Sequence, residues 1–356
     1  MVTKKRKRKS LLSYYSLSKK EEKDYPVITR ILRMLTPTEI EKEVKEAQKI
    51  ELPEELQRWI KEYDKKISKR DGFTWKKTFR HSGLVNFSIA SKKSQKFLQD
   101  TKFFMFMFII LLDDVADRLQ DRRLLNEILK IPFEKKYIEF NKLNKKEKEY
   151  LKFTMKVWRN IDKRIKICPR YKEFKEMLEY NIRQALYGRI YGYLINKKPF
   201  LVNKTECQSY LPASVCSMQI LADFTIDFMY SSDLVIEEFG KIREVAWRAQ
   251  EMTRKGNWIS GWMKEIKEGD FTNGLIAYAV DANIVTLSDL KRKDKTGVIN
   301  KIRNSGIEKD LLKEWEDDYH KINKISRKIR KANIKKYLSG IERLLILVLI
   351  SMHSEI

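Results

Sequence analysis

An all-α fold is predicted by three observations. Glycine (12) and proline (7) are scarce among 356 residues, and no proline follows Pro212. That composition suits long helices better than many short strands joined by turns. From Asp24 onward the apolar residues recur at helical spacing. No strand ladder and no internal repeat breaks the pattern. The expected architecture is one all-α domain, a thick helical bundle. Hydrophobic residues make up 42% of the chain, enough for a sizeable core.

The elements follow in order. Residues 1–24, beginning "MVTKKRKRKSLLSYYSLSKK", are expected to be a basic flexible tail, and residues 25–356 the folded domain. The tail is either a disordered end or an electrostatic attachment to acidic lipid, a peripheral membrane association. Helices are expected near 37–49, 53–68, 85–130, 145–166, 170–195, 207–231, 233–268, 286–303, 307–332 and 333–351. The segments 85–130 and 233–268 are each expected to break in two. Residues 69–84 and 196–206 read as loops, and 269–284 begins with a Gly-Asp loop.

Charge and cysteine content narrow the class. The formal net charge is +26, but the basic residues are interleaved with acidic ones, as in "EIEKEVKEAQKIELPEELQRWIKEYDKK". Opposite charges at i,i+4 mark solvated helix faces. A nucleic-acid partner is not expected, because no zinc-finger, KH or RNP pattern is present. Cys168, Cys207 and Cys216 match no metal or disulfide spacing. The N-terminus lacks an apolar signal core, so a cytoplasmic chain is expected. The apolar runs at 103–112 and 341–350 are too short to span a bilayer. His81, His320 and His353 form no triad or zinc pattern.

Two acidic constellations carry the chemistry. In "LLDDVADRL" a run of apolar residues, Phe103 to Leu112, ends on Asp113, Asp114 and Asp117. Asp113 and Asp117 are i,i+4 and share a helix face, with Asp114 about 100° round. Phe106, Ile109 and Ile110 lie upstream on that face. The helix is expected to line an apolar cavity and to set carboxylates at its rim. Clustered carboxylate oxygens suit a hard cation such as Mg²⁺; the plain alternative is a solvent-facing acidic helix end. In "RKGNWISGWMKEIKEGD", Asn257, Gly261 and Glu265 form one stripe at i, i+4, i+8, flanked by Arg254 and Lys264.

Taken together, D-D-x-x-D and, about 140 residues later, R-x-x-N-x-x-x-G-x-x-K-E resemble the class I terpene synthases. The resemblance spans roughly residue 75 to the C-terminus. It implies an isoprenoid-synthase-type helical bundle, three Mg²⁺ ions with Mn²⁺ as a substitute, and a prenyl diphosphate substrate. By position, Asp113, Asn257 and Glu265 would be catalytic, and Asp113, Asp114, Asp117, Asn257 and Glu265 would ligate metal. Arg254, Lys264, Lys336 and Tyr337 would bind diphosphate.

Three departures stand out. Gly261 replaces the usual Ser or Thr ligand, and a water beside it would fill the gap. The segment 209–216, with Ala213 and Ser214, lacks the Arg that usually senses diphosphate. Arg183 or Arg189 stands in, or each is a surface charge. Lys336 replaces Arg and loses the bidentate fork.

The reaction implied is Mg²⁺-dependent ionisation of a linear C15 or C20 diphosphate, then cyclisation or rearrangement to a terpene hydrocarbon or alcohol. Phe106, Tyr187, Phe224 and Phe228 are candidates for aromatic faces around the cation, or plain core. A monomer or homodimer is expected. Two alternatives remain: a chain-elongating prenyl diphosphate synthase, and a non-catalytic basic helical protein that binds nucleic acid or lipid.

Overall fold

The computed structural model describes residues 11–87, 92–204, 219–231 and 236–353; these contain helices and no strands. The longer helices are α1 (Leu11–Tyr15), α2 (Lys19–Asp24), α3 (Pro26–Met34), α4 (Pro37–Gln48), α5 (Glu54–Lys66), α6 (Gly72–Leu84) and α7 (Lys92–Asp113). After α7 come α8 (Arg122–Leu129), α9 (Lys145–Lys166), α10 (Tyr171–Lys197), α11 (Ile220–Met229), α12 (Ile236–Glu268) and α13 (Gly274–Asp281). The chain ends with α14 (Leu287–Lys291), α15 (Thr296–Ser305), α16 (Ile307–Ser326) and α17 (Ile334–His353).

α7 runs through the centre. Phe103, Phe104, Met105, Met107, Phe108, Leu111 and Leu112 are all sealed from solvent, because α6 and α9 cover two of its sides. A helix apolar on nearly every side belongs inside a bundle. The α-helix gives way at Asp114–Leu119 to a wider π turn, and Gln120 in the left-handed region (φ 50°) ends it. Such π turns occur often at functional sites.

α12 is the second long axis. It packs along α16 and α17, and its Gly256 lies against Leu345 and Val348 of α17. The expected break within 233–268 is absent from Ile236 onward: one helix of 33 residues spans the region. No proline interrupts it, and glycine in a helix interior weakens the helix without stopping it.

One expected loop, residues 69–84, contains a helix: α6 occupies most of it. Asp71 caps it, accepting from the Phe73 amide, and its inward face buries Trp75, Thr78 and Ser82. Small polar residues on the buried face, with Gly72 and Gly83 at either end, hide the apolar period. Residues 269–284 begin with the expected Gly-Asp loop, and Asn273 then caps α13.

The expected flexible tail is folded from Leu11. Ser18 and Glu21 form a capping box on α2. Tyr15 is buried, Tyr14 donates to Glu308 (2.9 Å), and Glu21 pairs with Lys309 and Lys313 of α16. Glu316 of α16, wholly buried, accepts from the Val27 and Ile28 amides at 2.8 Å each. A carboxylate at a helix N-terminus satisfies free N–H groups and complements the dipole. No described helix is long and apolar enough to cross a membrane.

Candidate active site

The face Phe106, Ile109, Ile110, Asp113 of α7 opens onto a cleft of about 530 Å³. Asp114 and Asp117, on the π turn, also reach it. Opposite lie Arg254, Asn257, Gly261, Lys264 and Glu265 of α12. The two constellations, far apart in the chain, therefore face one space. A second cavity of about 610 Å³ adjoins it; Lys77, Thr78, Phe106 and Asn257 border both. Its deeper wall includes Val44, Val85, Ile220, Leu344 and Val348.

The three aspartates are not equivalent. Asp113 meets Arg189 of α10, Oδ1 to Nη1 at 2.5 Å. Burial pushes its carboxyl up to about 6, Arg189 opposing and Asp114 reinforcing the rise. Asp117 is also raised, by burial and then by the charges of Asp113 and Asp270. Asn196 of α10 donates to Asp117 Oδ1 (3.4 Å) and accepts from the Phe271 amide (3.0 Å), tying the acidic turn to the loop after α12.

Asp114 is committed elsewhere. It is 4% exposed, accepts from the Tyr63 hydroxyl (2.6 Å), and pairs with Arg70 (2.5 Å) and Arg118 (3.2 Å). The expectation that Asp114 joins a metal cluster is corrected to this extent: its oxygens hold Arg70 in place at the cleft wall.

On α12, Glu265 folds back over Gly261. A Cβ added to Gly261 would collide with Glu265 Oε1. The space that the sequence assigned to a water is thus filled by the glutamate itself. Burial, reinforced by Asp270, pushes the Glu265 carboxyl up to about 8. Arg254 is buried with its guanidinium over the Trp258 ring (4.5 Å), and Lys264 is exposed beside Glu268 (3.9 Å).

Several expected site residues lie outside both cavities. Lys336 sits in a separate surface groove with Arg30 and Glu342. Tyr337, the next residue, stacks on Phe87 (3.9 Å) in the core, with burial holding its hydroxyl protonated. Phe224 and Phe228 pack with each other (4.4 Å) and with Phe87 and Phe239 as core. Tyr187 is 57% exposed. Neither a motif resemblance, which placed Lys336 and Tyr337, nor residue type, which placed the aromatics, says which face a neighbouring helix covers. Arg183 stacks over Phe133 (3.9 Å), away from the cleft, whereas Arg189 faces it. Ala213 and Ser214 lie outside the described residues.

Sequence reasoning missed Arg70, Asp270 and Gln219, all on the cleft wall. Asp270 carried a faint signal, since it follows Gly269 directly after the Glu265 helix. Gln219 adopts a left-handed backbone (φ 54°) and donates to both Asp223 oxygens (3.1 and 3.2 Å). Beneath it, Lys102 and Asp227 form a fully buried ion pair (2.7 Å).

The donor set suits a divalent cation. Carboxylates that raise one another's proton affinity face a shared space, and a bound cation would lower them again. Among the described residues no three His, Cys, Asp or Glu side chains form a ready-made metal centre. Arg189 holds Asp113 and Gly261 berths Glu265, so loading would require both carboxylates to leave those contacts. Comparisons with protein-family models, with curated proteins and with solved structures find no match.

Proposed function

We propose that the protein is a class I terpene synthase, ionising a linear prenyl diphosphate and converting the allylic cation to a hydrocarbon or alcohol. One observation carries the reading: a carboxylate-rimmed cleft with converging cationic side chains adjoins a mostly apolar chamber across Phe106 and Asn257. A polar head and an apolar tail need that pairing of spaces, and both volumes fall within the roughly 300–1,000 Å³ of small-molecule sites.

Asp113, Asp117, Asn257 and Glu265 would hold Mg²⁺ or Mn²⁺. Oxygen donors of this kind match hard cations. A divalent cation held there supplies Lewis-acid neutralisation of the departing diphosphate. Arg189, Arg254, Arg70 and Lys264 grip the diphosphate oxygens from the cleft wall, arginine in bidentate fashion. Burial of Arg254 beside Trp258 strengthens that attraction by lowering the local dielectric. The chamber folds the tail and keeps water from the cation.

The test is incubation with C10, C15 and C20 diphosphates and Mg²⁺, with diphosphate release and organic-extractable products measured together. Release with a hydrocarbon or alcohol product, abolished by EDTA, is expected. A longer diphosphate as product would instead indicate chain elongation. No diphosphate release from any substrate, or undiminished release in EDTA, would overturn the proposal.

A further inference from the structure

His81 is a Brønsted base of the chamber that the function above leaves unused. His81 sits on α6 and lines the chamber. It follows Lys77 by four residues and Thr78 by three, on one helix face, and those two border the acidic cleft. The ring therefore lies one turn, about 5 to 6 Å along α6, beyond the boundary between cleft and chamber. Phe106, Ile220 and Leu344 line the same space.

Nε2 is sealed from solvent, so on this half-buried ring the nitrogen that a molecule in the chamber can reach is Nδ1. Burial, with Lys77 and Arg80 adding their charges, holds the imidazole well below the usual histidine range. The ring is neutral at pH 7 and keeps one lone-pair nitrogen. The other titratable groups on the chamber wall are Asp71, which caps α6, and Lys77, an ammonium that can accept no proton.

We propose that His81 is the base that ends the cation cascade, a role that rests on the terpene synthase reading. A C–H bond on the carbon next to the final cationic centre breaks. Its electron pair becomes the new C=C bond, and the proton passes to the lone pair of His81 Nδ1, giving imidazolium. The imidazolium then returns the proton to the diphosphate released in the same turnover, or to water as the site opens. The positive charge of Lys77 one turn away favours that return.

The position of His81 decides which hydrogen is lost, so the double bond of the product reads out its role. His81→Phe keeps the ring volume and removes the base; His81→Gln is smaller and polar. In both, with folding checked by thermal unfolding, diphosphate release should stay within about threefold of wild type. The main alkene should fall about tenfold or more as a share of product, replaced by double-bond isomers or alcohols.

A second measurement avoids altering His81. The chain has three histidines. With His320→Gln and His353→Gln, His81 is the lone imidazole, and its ¹⁵N signals should shift when a prenyl thiodiphosphate binds with Mg²⁺. Diphosphate release with an unchanged alkene profile in the folded variants, or unshifted ¹⁵N signals on binding, overturns the role of His81 alone. A wild-type protein that releases no diphosphate overturns it together with the function.

Discussion

At the scale of single residues, the acidic motif divides its labour. Asp113 reaches the cleft and pairs with Arg189, whereas Asp114 is shared by Tyr63, Arg70 and Arg118. Asp113→Asn should therefore lower the rate of diphosphate release about 10²- to 10³-fold, the scale of losing one electrostatic stabiliser. Asp114→Asn should lower it by about tenfold through a displaced Arg70, with a larger rise in KM than fall in kcat. Equal losses in kcat for both would show that Asp114 ligates metal. Gly261→Ser should fold, because the atom its Cβ would strike is the flexible end of Glu265. The displaced carboxylate should swing into the cleft, and its pKa, about 8 in the structure, should fall on titration by NMR. An unchanged titration would show that Glu265 stays berthed.

At the scale of elements, α7 presents one narrow face to two cavities. Phe106 stands where they adjoin. Phe106→Ala should merge them and shift the product mixture or admit a longer diphosphate. Stability should fall by less than the ~3–5 kcal/mol of a fully packed phenylalanine, since part of the ring faces open space. Gas chromatography of products from a shared substrate panel checks it; an identical profile would remove Phe106 from substrate contact. At the N-terminus, deletion of residues 1–18 takes away Tyr14 and Tyr15. Glu308, 3% exposed, would keep only Trp262 Nε1 (2.7 Å) of its two donors. Weakening that site should destabilise the protein by about 1–3 kcal/mol, while turnover of the folded fraction stays within a few-fold. An unchanged denaturant midpoint would mean that α1 contributes nothing to the fold.

For the whole molecule, buried charge beneath the cleft sets a pH dependence. Burial pushes the Asp223 carboxyl from 3.8 up to about 7. The folded state thus binds this proton more tightly than the unfolded state. The contribution to stability is full below about pH 4 and is lost as pH rises toward 7. Asp223→Asn removes the ionisation. Its melting temperature relative to wild type should rise between pH 4 and pH 8, by about 2–4 °C per kcal/mol gained. A gap independent of pH would show that Lys102 and Gln219 already neutralise the carboxylate. The neighbouring Lys102–Asp227 pair bonds also to Asn86 and the Phe87 amide. It joins α7 to α11, and removing one partner leaves a buried charge uncompensated.

The sequence by itself determined the helical class, the central run Phe103–Leu112, and the alignment of Asp113 with Phe106, Ile109 and Ile110 on one face. Those properties are local: a 3.6-residue period and an apolar run are written in neighbouring residues. It also paired Asp113 with Glu265, through the resemblance of the two motifs, and the fold brings both to one cleft. The tertiary structure decided the rest, because partners distant in the chain decide which face is covered. It turned Asp114 toward Arg70, brought Arg189 rather than Arg183 to Asp113, and sent Phe224, Phe228 and Tyr337 into the core. It made a helix of residues 72–84, whose buried face of Trp75, Thr78 and Ser82 gains its stability from packing and not from an apolar period. His81 became legible only there, since a lone histidine in a sequence has no environment.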